Sequence, residues 1–130
     1  MLSLLMSDLS DQIFGAAIEV HKELGPGLLE STYEHCLAHE LSLRGIQGIR
    51  QKKQPITYKG LELDAGYRLD ILVENQIILE LKVVDQLNDI HTAQLITYLK
   101  LSGCSLGYLL NFNVTKMKDG IKRIVHNHKA

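Results

Sequence analysis

The sequence lacks the features that mark membrane, secreted and nucleic-acid-coating proteins. No apolar run approaches the ~18 residues that span a bilayer, and no basic region precedes the apolar start MLSLLMSDLSDQ, as it would in a secretory signal. Cys36 and Cys104 stand alone without CxxC or Cys/His ligand spacing, which is typical of reduced structural cysteines. A formal net charge of −1 argues against binding nucleic acid by charge alone. We therefore expect a cytoplasmic protein with no membrane partner.

Positive charge is nevertheless concentrated in two segments, RQKKQPITYKG at 50–60 and KMKDGIKRIVHNHK at 116–129. Basic surfaces of this kind could follow a phosphate backbone. The more common case is a solvated strand face or a polar tail. The pattern leaves both interpretations open.

The chain has 130 residues, near the modal size of one domain. No repeat, low-complexity segment or linker divides it, so we expect residues 1–130 to form a single domain. Three segments have apolar residues at helical spacing. The expected helices are a first one capped by Ser7 or Ser10 and stopped by GPG at 25–27, a second from Leu29 to Arg44 closed by Gly45, and a third capped by Asn88 or Asp89 and ended by Gly103.

The other segments have the patterns of strands. Pro55 interrupts the first, which predicts an edge or bulged strand because proline has no N–H to donate. CSLGYLLNFN is apolar enough for a strand covered on both faces. The expected strands are 49–58, 66–73, 77–84, 104–113 and 120–126, with GLELDAG as a turn after the first. The order α-α-β-β-β-α-β-β predicts an α/β domain with a mixed sheet.

Polar residues interrupt the two apolar strands of YRLDILVENQIILELK at 67–82. A three-residue loop, ENQ at 74–76, would pair Asp70 with Glu80. A two-residue loop would instead pair Asp70 with Leu79. The longer loop is favoured because asparagine tolerates the left-handed conformation that such loops need.

Two carboxylates opposite each other on paired strands lie ~5 Å apart at Cβ and repel. A divalent cation would remove that repulsion, and carboxylate oxygens suit Mg²⁺ or Mn²⁺. Side chains alternate along a strand, so Lys82 would share the face of Glu80. The alternative is that Glu80 and Lys82 form a surface ion pair, and the pattern alone does not decide between the two. The density of Ile, Leu and Val around them favours a site.

At these positions the sequence resembles a known family. Asp70, then nine residues, then Glu80-Leu81-Lys82 resembles the D…E-x-K signature of the PD-(D/E)xK nuclease superfamily. GLLESTY at 27–33 is similar to the motif of the GxxExxY proteins, a group of that superfamily, and QLITY at 94–98 is similar to the QxxxY motif of RecB-like nucleases. The resemblance spans residues 10–112 in the expected order. One departure is the absence of the proline that often precedes the first acid.

The resemblance implies a restriction-endonuclease-like fold, with helices flanking a central mixed sheet, and a metal-dependent nuclease that hydrolyses phosphodiester bonds. It implies Mg²⁺ or Mn²⁺ as cofactor and nucleic acid as substrate, DNA ahead of RNA. Because the chain is small, we expect a second copy (a homodimer) or a partner protein to help hold substrate. The implied catalytic residues are Asp70, Glu80, Lys82, Glu30, Gln94 and Tyr98, and the implied metal ligands are Asp70, Glu80, Glu30 and the carbonyl of Leu81.

Helix geometry bears on Glu30 independently. At ~100° per residue, Leu37 and Leu41 fall within about 20° of Glu30. Glu30 therefore begins an apolar stripe, where it is either a helix cap or a site residue pointing inward. His35 and His39 have the spacing of helical zinc ligands, but they fall on the far side of the helix and no third ligand is evident.

Two alternatives remain open from the sequence. Gln94 and Tyr98 share a helix face and could form a half-buried polar stripe on the sheet instead of orienting a catalytic group. The domain could also be a catalytically silent nucleic-acid-binding or scaffolding module on the same fold. The complete set of acids together with Lys82 favours the enzyme.

Overall fold

A computed structural model describes residues 6–127, so the start of the segment MLSLLMSDLSDQ and the end of the basic tail lie outside the described residues. The helices are α1 (Met6–Leu24), α2 (Glu30–Leu43) and α3 (Asp89–Ser102). The strands are β1 (Gly48–Lys53), β2 (Ile56–Tyr58), β3 (Leu61–Leu63), β4 (Arg68–Val73), β5 (Ile77–Lys82), β6 (Leu106–Asn111) and β7 (Ile121–Val125), with a 3-10 turn (Met117–Gly120) before β7.

Five strands form the central sheet in the order β1-β4-β5-β6-β7. β5 and β6 are parallel because α3 carries the chain from the end of β5 back to the start of β6, and the other neighbouring pairs are antiparallel. α1 and α2 pack on one face of the sheet, and α3 packs on the other. The prediction of an α/β domain with a mixed sheet flanked by helices is confirmed.

Alternation along β5 decides which face carries the polar residues. Ile77, Leu79 and Leu81 are buried in the larger core beneath α1 and α2, whereas Ile78 is buried in the smaller core beneath α3. Glu80 and Lys82 follow Ile78 at intervals of two residues, and they therefore leave the sheet on the α3 side.

The ends of α2 and α3 follow local chemistry that the sequence predicts. Arg44 is the C-cap of α2, and Gly45 follows it with φ +76°. Asn88 caps α3 in a capping box with His91, and Gly103 ends the helix in the left-handed conformation. The predicted register of the β4–β5 hairpin is also confirmed, because Val73 pairs with Ile77.

The predicted caps of α1 are wrong. Ser7 and Ser10 both lie inside the helix, which already includes Met6. Ser10 is buried, and its hydroxyl accepts a hydrogen bond of 2.8 Å from the Tyr108 hydroxyl on β6. Its polar atom therefore serves a contact between layers instead of a helix end.

The predicted strand at 49–58 is two strands in two different sheets. β1 is an edge strand of the central sheet and ends before Pro55, whereas β2 pairs with β3 in a separate hairpin. Lys59 and Gly60 form its turn, with φ +47° and +86°, as two-residue hairpin turns require. Part of GLELDAG, expected to be only a turn, is therefore strand β3, and five strands precede α3.

Candidate active site

The ladder between β4 and β5 stops where the two acids face each other. The last backbone pair of the ladder joins Ile71 to Leu79. At the next position the Asp70 N–H donates to Glu80 Oε2 at 2.8 Å, and the Leu81 N–H donates to Asp70 Oδ2 at 2.8 Å. Each carboxylate of this acid pair, Asp70 and Glu80, is thus fixed by the backbone of the opposite strand. The structure brings the two predicted residues together.

Within the described part of the chain, each member of the acid pair keeps one oxygen without a hydrogen bond. Glu80 is buried, at 5% exposure, yet only its Oε2 accepts a hydrogen bond from the described residues. Asp70 likewise uses Oδ2 alone. Asp70 Oδ1 and Glu80 Oε1 are therefore the atoms of the acid pair that remain for a ligand to bind.

Burial and mutual repulsion make the acid pair poor at carrying two negative charges. Burial raises the pKa of Glu80 to about 8, with the neighbouring Asp70 charge as the next cause. The pKa of Asp70 is also raised, to about 6. Burial is the largest cause of this rise, and the negative charges of Glu34 and Glu30 contribute to it. The two groups titrate together and are incompletely ionised near neutral pH unless a cation compensates them.

Lys82 is the cation that the fold itself provides. It is half-buried at the end of β5, and its charge lowers the pKa values of Asp70, Glu80 and Glu30, so it lies near all three. The chain beyond it is fixed by the buried Asn111 amide, which accepts from the Val84 N–H and donates to the Val84 carbonyl. The Lys82 backbone is therefore held at a defined place beside the acid pair.

The carbonyl of Leu81 points toward β4. The Lys82 carbonyl accepts a hydrogen bond from the Phe112 N–H on the β6 side, and consecutive carbonyls of a strand point to opposite neighbours. The Leu81 carbonyl is therefore on the same side as its own N–H, which bonds to Asp70. This is the orientation that a backbone ligand beside the acid pair would need.

Glu30 is the first residue of α2 and is exposed, whereas Leu37 and Leu41 of the same stripe are fully buried. Partial burial raises its pKa, which the charge of Lys82 lowers and that of Glu34 raises. Glu30 thus faces the same group of charges as the acid pair. Within residues 6–127, no three Asp, Glu, His or Cys side chains lie close enough together to hold a metal ion by themselves.

Tyr33 fixes the loop that leads into Glu30. Its hydroxyl donates to the Gly25 carbonyl and accepts from the Leu28 N–H. Its ring stacks on Phe112, with centroids 4.5 Å apart. Gly27, between the two bonded residues, has φ +95°, which few other residues adopt. The glycine and tyrosine of GLLESTY therefore position the start of α2.

Tyr98 lies on α3 within the smaller core, and Gln94 is exposed one turn earlier. Burial is the largest cause of a raised pKa at the Tyr98 hydroxyl, and the negative charges of Glu80 and Asp70 raise it further. A hydrogen bond with the Gln94 side chain lowers this pKa. The structure therefore brings Tyr98 and Gln94 to the α3 side of the acid pair. His35 and His39 are exposed and line a groove of about 290 Å³ between α1 and α2, which no member of the acid pair lines.

Three further polar residues near the site were missed from the sequence. Glu34 is buried and bonds to Arg50 and Gln51 of β1. The signal for Glu34 was present, because it lies about 40° from Glu30 at ~100° per residue. Arg50 and Gln51 begin the basic segment 50–60, but no local signal linked them to Glu34, because they meet it only through the fold.

Comparison with known proteins agrees with this geometry. Residues 7–124 match the family model of the PD-(D/E)XK nuclease superfamily. No curated protein matches the chain, and no solved structure does. None of the described helices is long and apolar enough to span a membrane. Since the matched span includes both hairpin strands and all three helices, the chain belongs to the PD-(D/E)XK nuclease superfamily.

Proposed function

We propose that this protein is a metal-dependent nuclease whose site is the end of the β4–β5 hairpin. The observation that carries the proposal is the acid pair. Asp70 and Glu80 replace backbone pairing at the end of the ladder, and each keeps a free oxygen. A structural role would be fulfilled better by apolar residues, because burying two like charges is costly.

The donor set fits a hard divalent cation. Mg²⁺ in proteins takes one or two carboxylates together with waters and phosphate oxygens, and Asp70 and Glu80 offer two carboxylate oxygens, with the Leu81 carbonyl on the same side. We assign these three residues as ligands of Mg²⁺ or Mn²⁺ and place Glu30 behind a water molecule. When bound, the metal would supply an acidified water and neutralise phosphate oxygens.

The remaining residues act on substrate and water. Lys82 is assigned to donate a hydrogen bond to the phosphate as negative charge grows on it, an interaction that is stronger in the transition state than in the ground state. Gln94 is assigned to orient the attacking water or a catalytic group, and Tyr98 to contact a phosphate oxygen or to order the site. The half-buried position of Lys82 and the burial of Tyr98 support roles that need fixed side chains.

The same proposal includes the group within the superfamily, the substrate and the partner of this protein. Membership of the GxxExxY group is supported by the contacts of Tyr33, and a QxxxY site by the placement of Gln94 and Tyr98. The proposed substrate is nucleic acid, DNA ahead of RNA, an order that rests on the resemblance alone. A second copy or a partner protein would extend the small substrate surface. The cytoplasmic location stays a prediction from the sequence.

The proposal is tested by metal binding and cleavage with one set of variants. We expect Asp70→Asn, Glu80→Gln and Lys82→Ala each to lower Mg²⁺-dependent cleavage of DNA by at least about 100-fold, because each removes a group acting on the reacting phosphate. Calorimetric titration should show Mn²⁺ binding that Asp70→Asn and Glu80→Gln abolish. Asp119→Asn is a matched control, since Asp119 is an exposed carboxylate on the 3-10 turn.

Two outcomes would contradict the proposal. Cleavage that survives all three substitutions would come from a contaminant or a different site. A wild-type protein that binds no Mn²⁺ and cleaves no DNA or RNA would instead support a catalytically silent binding or scaffolding module on this fold.

A further inference from the structure

A second polar cluster lies one strand away from the acid pair, on the α2 side of the sheet. Its members are Glu34, Arg50 and Gln51, named here the Glu34 cluster. Glu34 is 5% exposed, and both of its carboxylate oxygens accept hydrogen bonds of 2.7 Å, one from Arg50 Nη2 and one from Gln51 Nε2.

Three features of the Glu34 cluster oppose folding. A largely buried ion pair loses hydration that its mutual attraction only partly restores. Arg50 Nε is buried and is the one such side-chain atom among the described residues that has no hydrogen-bond partner, which costs about 1–3 kcal/mol. Gln51 has φ +54°, and a left-handed conformation costs a non-glycine residue about 1–2 kcal/mol. Such strain is concentrated at functional sites.

The register places this cluster beside Asp70. Arg50 pairs with Ile71, the residue next to Asp70 on β4. Gln51 is the β1 residue that faces Asp70, and the β1–β4 ladder has no pair at that position. Glu34 acts on Asp70 through its charge, ahead of Glu30. Glu34 lies four positions after Glu30 on α2, so the two side chains are on the same face of the helix, at its N-terminal end.

Arg50 has unused donors. A guanidinium carries five N–H donors, and among the described residues Arg50 donates one side-chain hydrogen bond, from Nη2 to Glu34. Within residues 6–127, Nη1 has no partner, and the side chain is 30% exposed. The planar fork of arginine matches the oxygens of a phosphate, and an arginine already held by a carboxylate loses little conformational entropy on binding.

We propose that Arg50, held in place by Glu34 and Gln51, binds a phosphate of the nucleic-acid backbone adjacent to the scissile bond. This inference rests on the proposed nuclease function and names a further substrate-binding residue for it. Glu34 and Gln51 are positioning residues, since they act on substrate only through Arg50. Lys52 and Lys53 continue as exposed residues along β1, with Lys53 also 3.7 Å from Asp64, so positive charge extends along this edge of the sheet.

Equilibrium binding tests the proposal without cleavage. Protein carrying Asp70→Asn is titrated into fluorescein-labelled duplex and single-stranded DNA, and fluorescence anisotropy is measured at several salt concentrations. We expect Arg50→Gln to weaken binding at least about 5-fold and to reduce the slope of log K against log salt by about 1, as the loss of one phosphate contact requires. Arg50→Lys should not restore the affinity, because lysine lacks the planar fork.

Arg44→Gln is the matched control. Arg44 also forms an ion pair with a glutamate of α2, Glu40 at 3.0 Å, and the substitution removes the same charge. Arg44 lies at the opposite end of α2 from Glu30, so we expect its affinity and salt slope to stay within about 2-fold of the parent.

Glu34→Gln distinguishes binding by an Arg50 side chain that Glu34 holds in place from general electrostatic attraction of the nucleic acid. The substitution removes a negative charge, so diffuse electrostatics predicts tighter binding. The positioning role predicts weaker binding, because Arg50 is no longer fixed. Circular dichroism confirms that each variant is folded at the assay temperature, and Arg50→Lys keeps the charge if Arg50→Gln unfolds.

The outcomes are distinct. Equal effects of Arg50→Gln and Arg44→Gln, full affinity in Arg50→Lys, or tighter binding by Glu34→Gln would overturn the assignment of Arg50 while leaving the nuclease proposal intact. Failure of the Asp70→Asn parent to bind any nucleic acid would contradict the proposed function and this inference together.

Discussion

Glu34 and Glu80 are two glutamates with the same burial and opposite surroundings. Each is 5% exposed. Glu34 has a guanidinium and an amide on its two oxygens. Glu80 has one backbone N–H on Oε2 and a second carboxylate, Asp70, as its neighbour.

The difference shows that burial alone does not identify a site. Glu34 is compensated by groups that the chain supplies. The negative charge of Glu80 is compensated only in part by Lys82, because the pKa of Glu80 stays raised beside that lysine. A bound divalent cation would supply the remaining positive charge, so the incomplete surroundings of Glu80 are more informative than its depth.

The difference between Glu34 and Glu80 is tested most directly by the same substitution, glutamate to glutamine, at each position. We expect Glu34→Gln to lower the free energy of unfolding by about 2 kcal/mol, because it leaves the Arg50 guanidinium partly buried without its counter-ion. Glu80→Gln should raise it by about 1 kcal/mol at pH 8, because it removes a buried charge next to Asp70. Urea unfolding in EDTA measures both. If both substitutions changed the free energy of unfolding in the same direction, the surroundings of Glu34 and Glu80 would not differ in the way described.

The pH dependence of stability should come from the acid pair. The pKa values of Asp70 and Glu80 are raised from 3.8 and 4.5 to about 6 and about 8. Between these limits the native state binds more protons than the unfolded chain, so the free energy of unfolding falls as pH rises. The loss begins near pH ~4 and is complete only about one pH unit above the Glu80 pKa of about 8, and it should amount to at least about 1 kcal/mol in metal-free protein.

Unfolding of Glu80→Gln across the same pH range is the control for that prediction. The substitution removes one titrating group and the repulsion that it exerts on Asp70, so the slope between pH 5 and pH 8 should flatten. An unchanged slope would assign the dependence to other groups. Mn²⁺ should raise the melting temperature of the wild type more at pH 8 than at pH 5, since only ionised carboxylates bind the metal.

The smallest expected effect concerns the loop before α2. Tyr33→Phe removes the hydroxyl that joins Gly25 to Leu28, which should lower the free energy of unfolding by about 1 kcal/mol. Because this loop positions Glu30, cleavage should fall severalfold while binding of Mn²⁺ to the acid pair persists. Tyr58→Phe is the matched control, since Tyr58 is exposed on β2. Equal effects of the two substitutions would remove the proposed role of the Tyr33 hydroxyl.

The parts of the fold that local chemistry specifies were predictable. Gly45 and Gly103 end their helices, and Asn88 caps α3, as predicted. The register of the hairpin also followed from its loop, in which Glu74 and Asn75 have positive φ. This register brought Asp70 and Glu80 together, so the centre of the candidate site was visible in the sequence.

Features that depend on distant contacts were not predictable. Ser10 was expected to cap a helix, but its partner Tyr108 is nearly one hundred residues away. The ion pair of Glu34 with Arg50 joins a helix to a strand across the loop at 44–47. Strand β3 has only three residues, all of them exposed, so its alternation of apolar and polar residues is too short to identify a strand.

The turn of the backbone at Gln51 also limits how this protein can assemble. A long regular edge strand offers a row of free amides and carbonyls to which another chain can add. β1 is an edge strand of the central sheet, but the left-handed conformation of Gln51 interrupts its regular backbone. The charged residues Lys52 and Lys53 follow. Continuous sheet extension between two copies is therefore blocked along this border, whereas the phosphate binding that we propose for it does not depend on backbone pairing.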